Sequence, residues 1–216
     1  MFKNKYTWKL LLIILIATCA TQVEAGEKVQ DIVKKLKKRY EKFASLQADF
    51  TQTTVWALAG DEQSVRGKFL VMGNDKYRVE TEAQTIVTNG KDVWTFSHEK
   101  NQVVINSLSG AGQNKTPRDM LIHYTKEFDA RLDGEHLFNK TKCYKVIFTP
   151  RDEEAFVVRT SVLIDKKTNL ALRIEQEDIN ENITRYELEN YKIDLPLKKT
   201  IFQFKIPADA EVVDMR

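Results

Sequence analysis

The side chains that most often carry out chemistry are sparse in this sequence and are not grouped in catalytic patterns. The three histidines, His98, His123 and His136, stand at no metal-ligand spacing with one another, with a cysteine or with an acid. Ser109 lies in a glycine-flanked stretch, but a nucleophile elbow needs a strand before the serine and a helix after it. The acids of 175–178 are typical of a solvated strand end. The sequence therefore predicts no catalytic residue, no metal site and no cofactor.

The N-terminal residues are typical of an export signal. Three lysines within the first nine residues precede an apolar run at 10–17, which is shorter than the roughly 20 residues of a membrane-spanning helix. Small residues up to Ala25 fit signal peptidase, so we predict residues 1–25 as a signal peptide cleaved before Gly26. The alternative is a lipoprotein signal that ends at Cys19, where the preceding threonine is a poor match.

Removal of this signal changes the charge and the cysteine count. The chain has 34 basic and 31 acidic residues, and the mature part keeps 31 and 30, a net charge of +1. A nucleic-acid binder carries a strong basic surface, so we do not expect one here. Cys143 becomes the single cysteine, which excludes an internal disulfide, and its apolar context predicts a buried structural thiol. Residues 26–216 are predicted to form a single domain.

The first mature element is predicted to be a helix from about Glu27 to Ser45. Apolar residues recur there at steps of three and four, which makes one apolar stripe. Five basic residues, Lys34, Lys35 and 37–39, occupy the other side. They are either a solvated outer face or a surface that touches anionic lipid.

The rest of the chain alternates short extended segments with turn residues, as in an antiparallel meander. Asn89-Gly90 is a strong tight-turn dipeptide, and Asp133-Gly134 predicts another turn. Thr116-Pro117 predicts the start of a second helix that runs to about Lys126. The predicted strands are 48–57, 63–72, 77–81, 85–88, 93–97, 102–106, 142–149, 155–165, 170–177, 182–193 and 200–206.

Several of these strands are apolar at every position rather than at alternate positions. Such runs occupy 69–72, 103–105, 156–158 and 162–164. An antiparallel sheet with one face in water alternates apolar and polar residues. The runs therefore predict that both faces are covered in places, by helices or by a ligand, and that the sheet curls around something apolar.

Several short segments are each weak indicators of a family, but their order along the chain is informative. They are SLQADFTQ (45–52), GKFLV with YRVE (67–71 and 77–80), NGKDVWTF followed by QV (89–96 and 102–103), the 116–117 helix start, and FQFKIP with VVD (202–207 and 212–214). In this order they resemble the outer-membrane lipoprotein carrier family, the LolA- and LolB-like proteins, over nearly all of residues 26–216.

This resemblance implies a mainly β fold with α (α+β), an incomplete antiparallel β-barrel of about eleven strands. An N-terminal helix and short lid helices would cover an apolar cavity. The implied function is that of a carrier, not an enzyme, that acts as a monomer in the periplasm. It would take the acyl chains of lipoproteins from an inner-membrane lipoprotein-releasing transporter to an outer-membrane acceptor.

Strand alternation places apolar residues in pairs that share a face. The predicted lipid-binding cavity residues are Phe69, Val71, Tyr77, Val79, Trp94 and Phe96, and the predicted lid residues are Met120, Leu121 and Ile122. The alternative is that these residues are plain core under the helices.

One position departs from the family pattern. The best-studied members carry Arg-Pro in the first hairpin turn, where this chain has Gly73-Asn74, and Arg66, Lys76 or Arg78 are the candidates to replace that arginine. Other functions also stay open: a lipid- or glycolipid-binding or stress-sensing protein of the same fold, a membrane-anchored lipoprotein acceptor, or an envelope hydrolase.

Overall fold

The computed structural model describes residues 28–73, 75–108 and 127–216. Helix α1 (Val29–Lys42) comes first. The strands are β1 (Ser45–Trp56), β2 (Asp61–Met72), β3 (Lys76–Thr81), β4 (Gln84–Asn89), β5 (Asp92–Ser97), β6 (Gln102–Ser107), β7 (Phe128–Phe138), β8 (Thr141–Pro150), β9 (Val157–Asp165), β10 (Ala171–Asp178), β11 (Ile183–Ile193) and β12 (Glu211–Asp214), with a 3-10 helix at Lys199–Phe202.

The strands form one open sheet in the order β12-β6-β5-β4-β3-β2-β1-β11-β10-β9-β8-β7. Two antiparallel hairpin ladders, β1–β6 and β7–β11, join where β1 pairs with β11. Strand β12 pairs in parallel with β6. Within the described residues the outer strands β7 and β12 do not pair with each other, so the sheet does not close. This confirms the predicted incomplete antiparallel barrel, with twelve strands in place of about eleven.

Most predicted elements are confirmed with small shifts at their ends, and the Asn89-Gly90 turn lies between β4 and β5, with Gly90 at φ +96°. The predicted strand 200–206 is wrong, because this segment begins with the 3-10 helix and buries Phe202 instead of pairing. The turn predicted at Asp133-Gly134 is a bulge inside β7, where the pairing with β8 shifts between Leu132 and Glu135. Strands β7 and β12 were not predicted from the sequence. The predicted second helix and lid residues lie outside the described residues.

Helix α1 packs across one side of the sheet, which we call the inner face. Its stripe buries Ile32, Leu36 and Tyr40, each at most 1% exposed. They belong to one apolar cluster with inner-face residues from both ladders: Leu46, Ala48, Phe69, Val71, Tyr77, Val146, Phe148, Val162, Ile164, Ile174 and Leu188. Full burial of one such aliphatic side chain stabilises a fold by about 1.5–3 kcal/mol, so α1 and the sheet form one core.

Tyr40, in the last turn of α1, joins a network of three hydrogen bonds with the sheet residues Ala171 and Tyr191. The Ala171 N–H donates to the Tyr40 hydroxyl oxygen (3.2 Å), and the Tyr191 hydroxyl donates to the Ala171 carbonyl (2.6 Å). The Tyr40 and Tyr191 oxygens lie 3.1 Å apart, so Tyr40 donates to Tyr191. Burial raises the pKa of Tyr40 and raises that of Tyr191 further.

Candidate functional site

The strand register defines which side chains share the inner face, because residues directly opposite each other in an antiparallel pair point to the same side. Phe69 is opposite Val79, and Val71 is opposite Tyr77. The row then continues from Val79 to Ile86 on β4. It ends with Thr95 on β5 and Val104 on β6.

The inner face is buried unevenly. Phe69, Val71 and Tyr77 belong to the same buried cluster as the α1 stripe and are 2%, 1% and 5% exposed. A second group of inner-face residues stays half-buried, and we call it the inner strip: Phe50, Val79, Ile86, Thr95 and Val104. The inner face therefore passes from packed core near α1 to a partly exposed apolar surface on the β3–β6 side.

Phe50 closes one end of the inner strip. Its ring packs on Gly67 so closely that a β-carbon there would lie 2.6 Å from the ring and 2.4 Å from the Glu80 carbonyl oxygen. The Phe50 and Phe69 rings lie 6.4 Å apart. The glycine at 67 is therefore required for this contact and not for an unusual backbone angle.

The two faces differ in charge. At every inner-strip position, the residues paired on neighbouring strands are uncharged. The outer face of the β9–β11 region carries cross-strand ion pairs instead: Arg173 with Glu187 (2.5 Å), Arg185 with Glu175 (2.8 Å) and Arg159 with Glu177 (2.5 Å). An apolar ligand would therefore find its favourable surface on the inner face.

Of the six predicted cavity residues, the structure brings together Phe69, Val71, Tyr77 and Val79. Trp94 and Phe96 lie on the outer face, opposite Val87 and Thr85 respectively. The C-terminal segment covers this region: the Phe96 and Phe204 rings lie 5.9 Å apart. Strand alternation correctly paired Trp94 with Phe96 but carried no information on which side the C-terminal segment packs.

The inner strip also contains residues that sequence reasoning missed. The short turn at 82–83 fixes the register between β3 and β4, which places Ile86 opposite Val79. From that register, the inner-face positions of Thr95 and Val104 could have been predicted. Phe50 is part of the segment 45–52 that resembles the family, but nothing in the sequence predicted that its ring packs on Gly67.

The three basic residues considered as lid-holding substitutes all occupy outer-face positions. Arg66 is opposite Thr51, and Lys76 is opposite Met72. Arg78 donates to Glu80 (2.6 Å) and to the Ile201 carbonyl (3.3 Å), so it holds the C-terminal segment. Gly73 has a φ of +65°, and its N–H donates to the Ala44 carbonyl (3.0 Å). Asn74 lies outside the described residues.

The chemically reactive side chains of the described segments have structural partners. The His98 ring bonds Thr85 Oγ1 (3.0 Å) and the Glu82 carbonyl (2.7 Å), and His136 is exposed on β7. The prediction for Cys143 is confirmed, since its thiol is free and fully buried, and burial raises its pKa. No cluster of three metal-binding side chains occurs in the described ranges.

The described residues thus form an open sheet with a helix packed on its apolar inner face. A family model, described as outer membrane lipoprotein carrier protein LolA, matches residues 41–205. The chain therefore belongs to the LolA family, which confirms the resemblance. Among the helices of the described ranges, none has the length and apolar character needed to cross a membrane.

Several known proteins are similar to this chain. An outer-membrane lipoprotein carrier protein of Haemophilus ducreyi is 27% identical over 217 residues, 99% of this chain and 98% of that protein. An uncharacterized protein of Methanocaldococcus jannaschii is 24% identical over 94% of this chain, which spans only 58% of that protein. A solved structure of an uncharacterized conserved protein from Thermus thermophilus has the same fold, with a TM-score of 0.59, 17% identity and coverage of 87% of this chain and 99% of that chain.

Proposed function

We propose that this protein is a periplasmic carrier that binds the acyl chains of lipoproteins on its inner face and transfers them toward the outer membrane. The observation that carries the proposal is the inner strip, an uncharged and half-buried surface on the inner face. Membership of the LolA family supports the nature of the cargo, because curated relatives are named outer-membrane lipoprotein carrier proteins. The inner-membrane releasing transporter and the outer-membrane acceptor are part of the proposal.

The energetics of acyl-chain transfer favour a surface that covers the chains partly over a cavity that encloses them. Each CH₂ removed from water contributes about 0.8 kcal/mol, so three long acyl chains would exceed the practical limit of about 18–21 kcal/mol for non-covalent binding. Membranes and acceptors offer apolar surroundings too, so the direction of transfer depends on small differences. A surface that covers the acyl chains incompletely holds them against water and still releases them to a better site.

The proposed binding surface combines the inner strip with the predicted residues beside it. Val79 lies in the inner strip, next to Phe69 on the neighbouring strand. Phe69, Val71 and Tyr77 are buried in the same cluster as the α1 stripe, so acyl chains reach them only if the residues that cover them move. Met120, Leu121 and Ile122 stay a prediction for the lid, and Trp94 and Phe96 are left out of the proposed surface.

Direct identification of bound lipid tests this function. The mature protein is purified from the periplasm without detergent, extracted with organic solvent and analysed by mass spectrometry. We expect acylated lipoprotein, and an intact protein mass that begins at Gly26. Glycolipid or free phospholipid as the sole bound species would favour a general lipid-binding protein, and a start at a lipid-modified Cys19 would favour an anchored acceptor. Absence of any bound lipid, together with no uptake of an added triacylated lipopeptide, would refute the proposal.

A further inference from the structure

Charged residues are distributed unequally between the two ends of the strands. Five turns meet at the end where β1 finishes: 57–60, 82–83, 98–101, 151–156 and 179–182. They contain six acids and two bases. The turns at the opposite end, after β2, β4, β7 and β9, contain four lysines and one aspartate. These turns therefore carry a net charge of −4 at one end of the strands and +3 at the other.

The basic end has one concentrated group, which we call the lysine cluster: Lys140, Lys142, Lys166 and Lys167. With Thr141 and Asp165 these residues line a shallow depression of about 540 Å³. The Lys166 N–H donates to the Lys142 carbonyl (3.1 Å), which holds the β7–β8 and β9–β10 turns together.

Few carboxylates neutralise this cluster. Asp165 is occupied by its own turn, where it accepts from the Lys167 N–H (2.8 Å) and from Thr168 Oγ1 (2.7 Å). Glu135 pairs with Lys166. In the described part of the chain, Lys140, Lys142 and Lys167 have no ion-pair partner.

The backbone at Lys140 gives a second reason to regard the cluster as functional. Asn139 and Lys140 have φ values of +46° and +65° and form a two-residue hairpin turn. Glycine takes the second position of such a turn at the lowest conformational cost. A lysine held in a left-handed backbone conformation is the kind of outlier that points to a role beyond folding.

We propose that the lysine cluster docks this protein on an anionic phospholipid bilayer. Clusters of four or more lysines at a surface bind anionic lipid, with each lysine contributing about fivefold to the partition. Neighbouring turn tips at the end of a sheet can reach a flat surface together. The acidic turns at the other end are repelled by the same surface, so the strands stand with their basic end on the membrane.

Sedimentation with phospholipid vesicles tests the docking surface. We expect the mature protein to bind vesicles that contain phosphatidylglycerol, less so at high salt, and not vesicles of phosphatidylcholine alone. The double variant Lys140→Gln/Lys167→Gln should bind about 25-fold more weakly. The matched control Lys34→Gln/Lys38→Gln removes the same charge from the exposed side of α1 and should stay within about twofold of the wild type. An equal loss in the control, or no dependence on phosphatidylglycerol, would overturn the proposal.

Lys140→Gly separates docking from folding. This variant relieves the left-handed backbone, so its Tm should be equal to or above that of the wild type, whereas its binding to phosphatidylglycerol vesicles should fall about fivefold. Unchanged vesicle binding would contradict the role of Lys140. Uptake of a triacylated lipopeptide should stay at the wild-type level, so failure of docking and failure of the carrier function are distinguishable.

Discussion

Val79→Glu tests the inner strip at its centre. The new carboxyl group would lie between Phe69 and Ile86, with no charged residue paired with it on β2 or β4. Val79 is half-buried in the protein, so we expect the variant to fold. When acyl chains cover the strip, however, the carboxylate would lose water without gaining a partner.

The size of the effect follows from protonation. A glutamate of ordinary pKa, about 4.3, can enter the apolar complex as the neutral acid, and at pH 7 its protonation costs about 3.7 kcal/mol. This cost limits the loss of binding to about 500-fold. Because the bound state favours the protonated acid, the pKa of the glutamate rises on binding and the affinity recovers as the pH falls. At pH 5 the same calculation leaves a loss of about fivefold.

The assay is a titration with a fluorescent triacylated lipopeptide at both pH values, with circular dichroism to verify folding. Val55→Glu is the matched control: Val55 is also half-buried in a strand, but it is on the outer face, opposite Glu62 and Ile183. We expect the control to bind within about twofold of the wild type. Wild-type affinity of folded Val79→Glu, or a loss that is the same at pH 7 and pH 5, would refute the reasoning.

Four further predictions concern stability and burial. Tyr40→Phe leaves the buried Ala171 N–H without its acceptor and should cost about 1–3 kcal/mol in urea unfolding; a smaller cost would mean that water replaces the hydroxyl. Burial raises the pKa of Tyr40 above 10.0, so above pH 10 the folded protein keeps a neutral phenol while the unfolded chain ionises it. The free energy of unfolding should therefore fall above pH 10, and this fall should be shallower in Tyr40→Phe. Gly67→Ala should lower the free energy of unfolding by about 1–3 kcal/mol, because the new methyl group clashes with the Glu80 carbonyl and the Phe50 ring. An unchanged midpoint of urea unfolding would show that the neighbouring strands can move apart to accept the methyl group. The Cys143 thiol should react with Ellman's reagent only after unfolding, and rapid labelling of the native protein would contradict its burial.

Local patterns predicted the elements whose structure depends on near neighbours. The apolar stripe of α1 could be predicted because Ile32, Leu36 and Tyr40 recur at helical spacing and are all buried in the core. The β4–β5 hairpin was readable because Asn89 Oδ1 accepts hydrogen bonds from the N–H groups two and three residues later (2.8 and 2.9 Å).

Elements that depend on distant segments were not predictable from local pattern. The apolar spacing of Phe202 and Phe204 suggested a strand, but it reflects packing of the C-terminal segment on the outer face. The apolar run 103–105 of β6 was attributed to cover by helices or a ligand; its Val103 and Ile105 lie on this same outer face and are buried. Gly134 was taken for a turn residue, whereas its positive φ (+98°) belongs to a bulge in an unbroken strand.

The β1–β11 junction has a consequence for how the polypeptide acquires its structure. Leu46 aligns with Ile193 there, so the two hairpin ladders cannot unite until nearly the whole chain is available. A polypeptide that emerges from its N-terminus onward therefore exposes the unpaired edge of β1 for the longest time, and such late non-local pairing slows folding and invites aggregation. Biogenesis of this protein should accordingly be most vulnerable before β11 arrives, which makes that edge the natural point of protection by a folding helper.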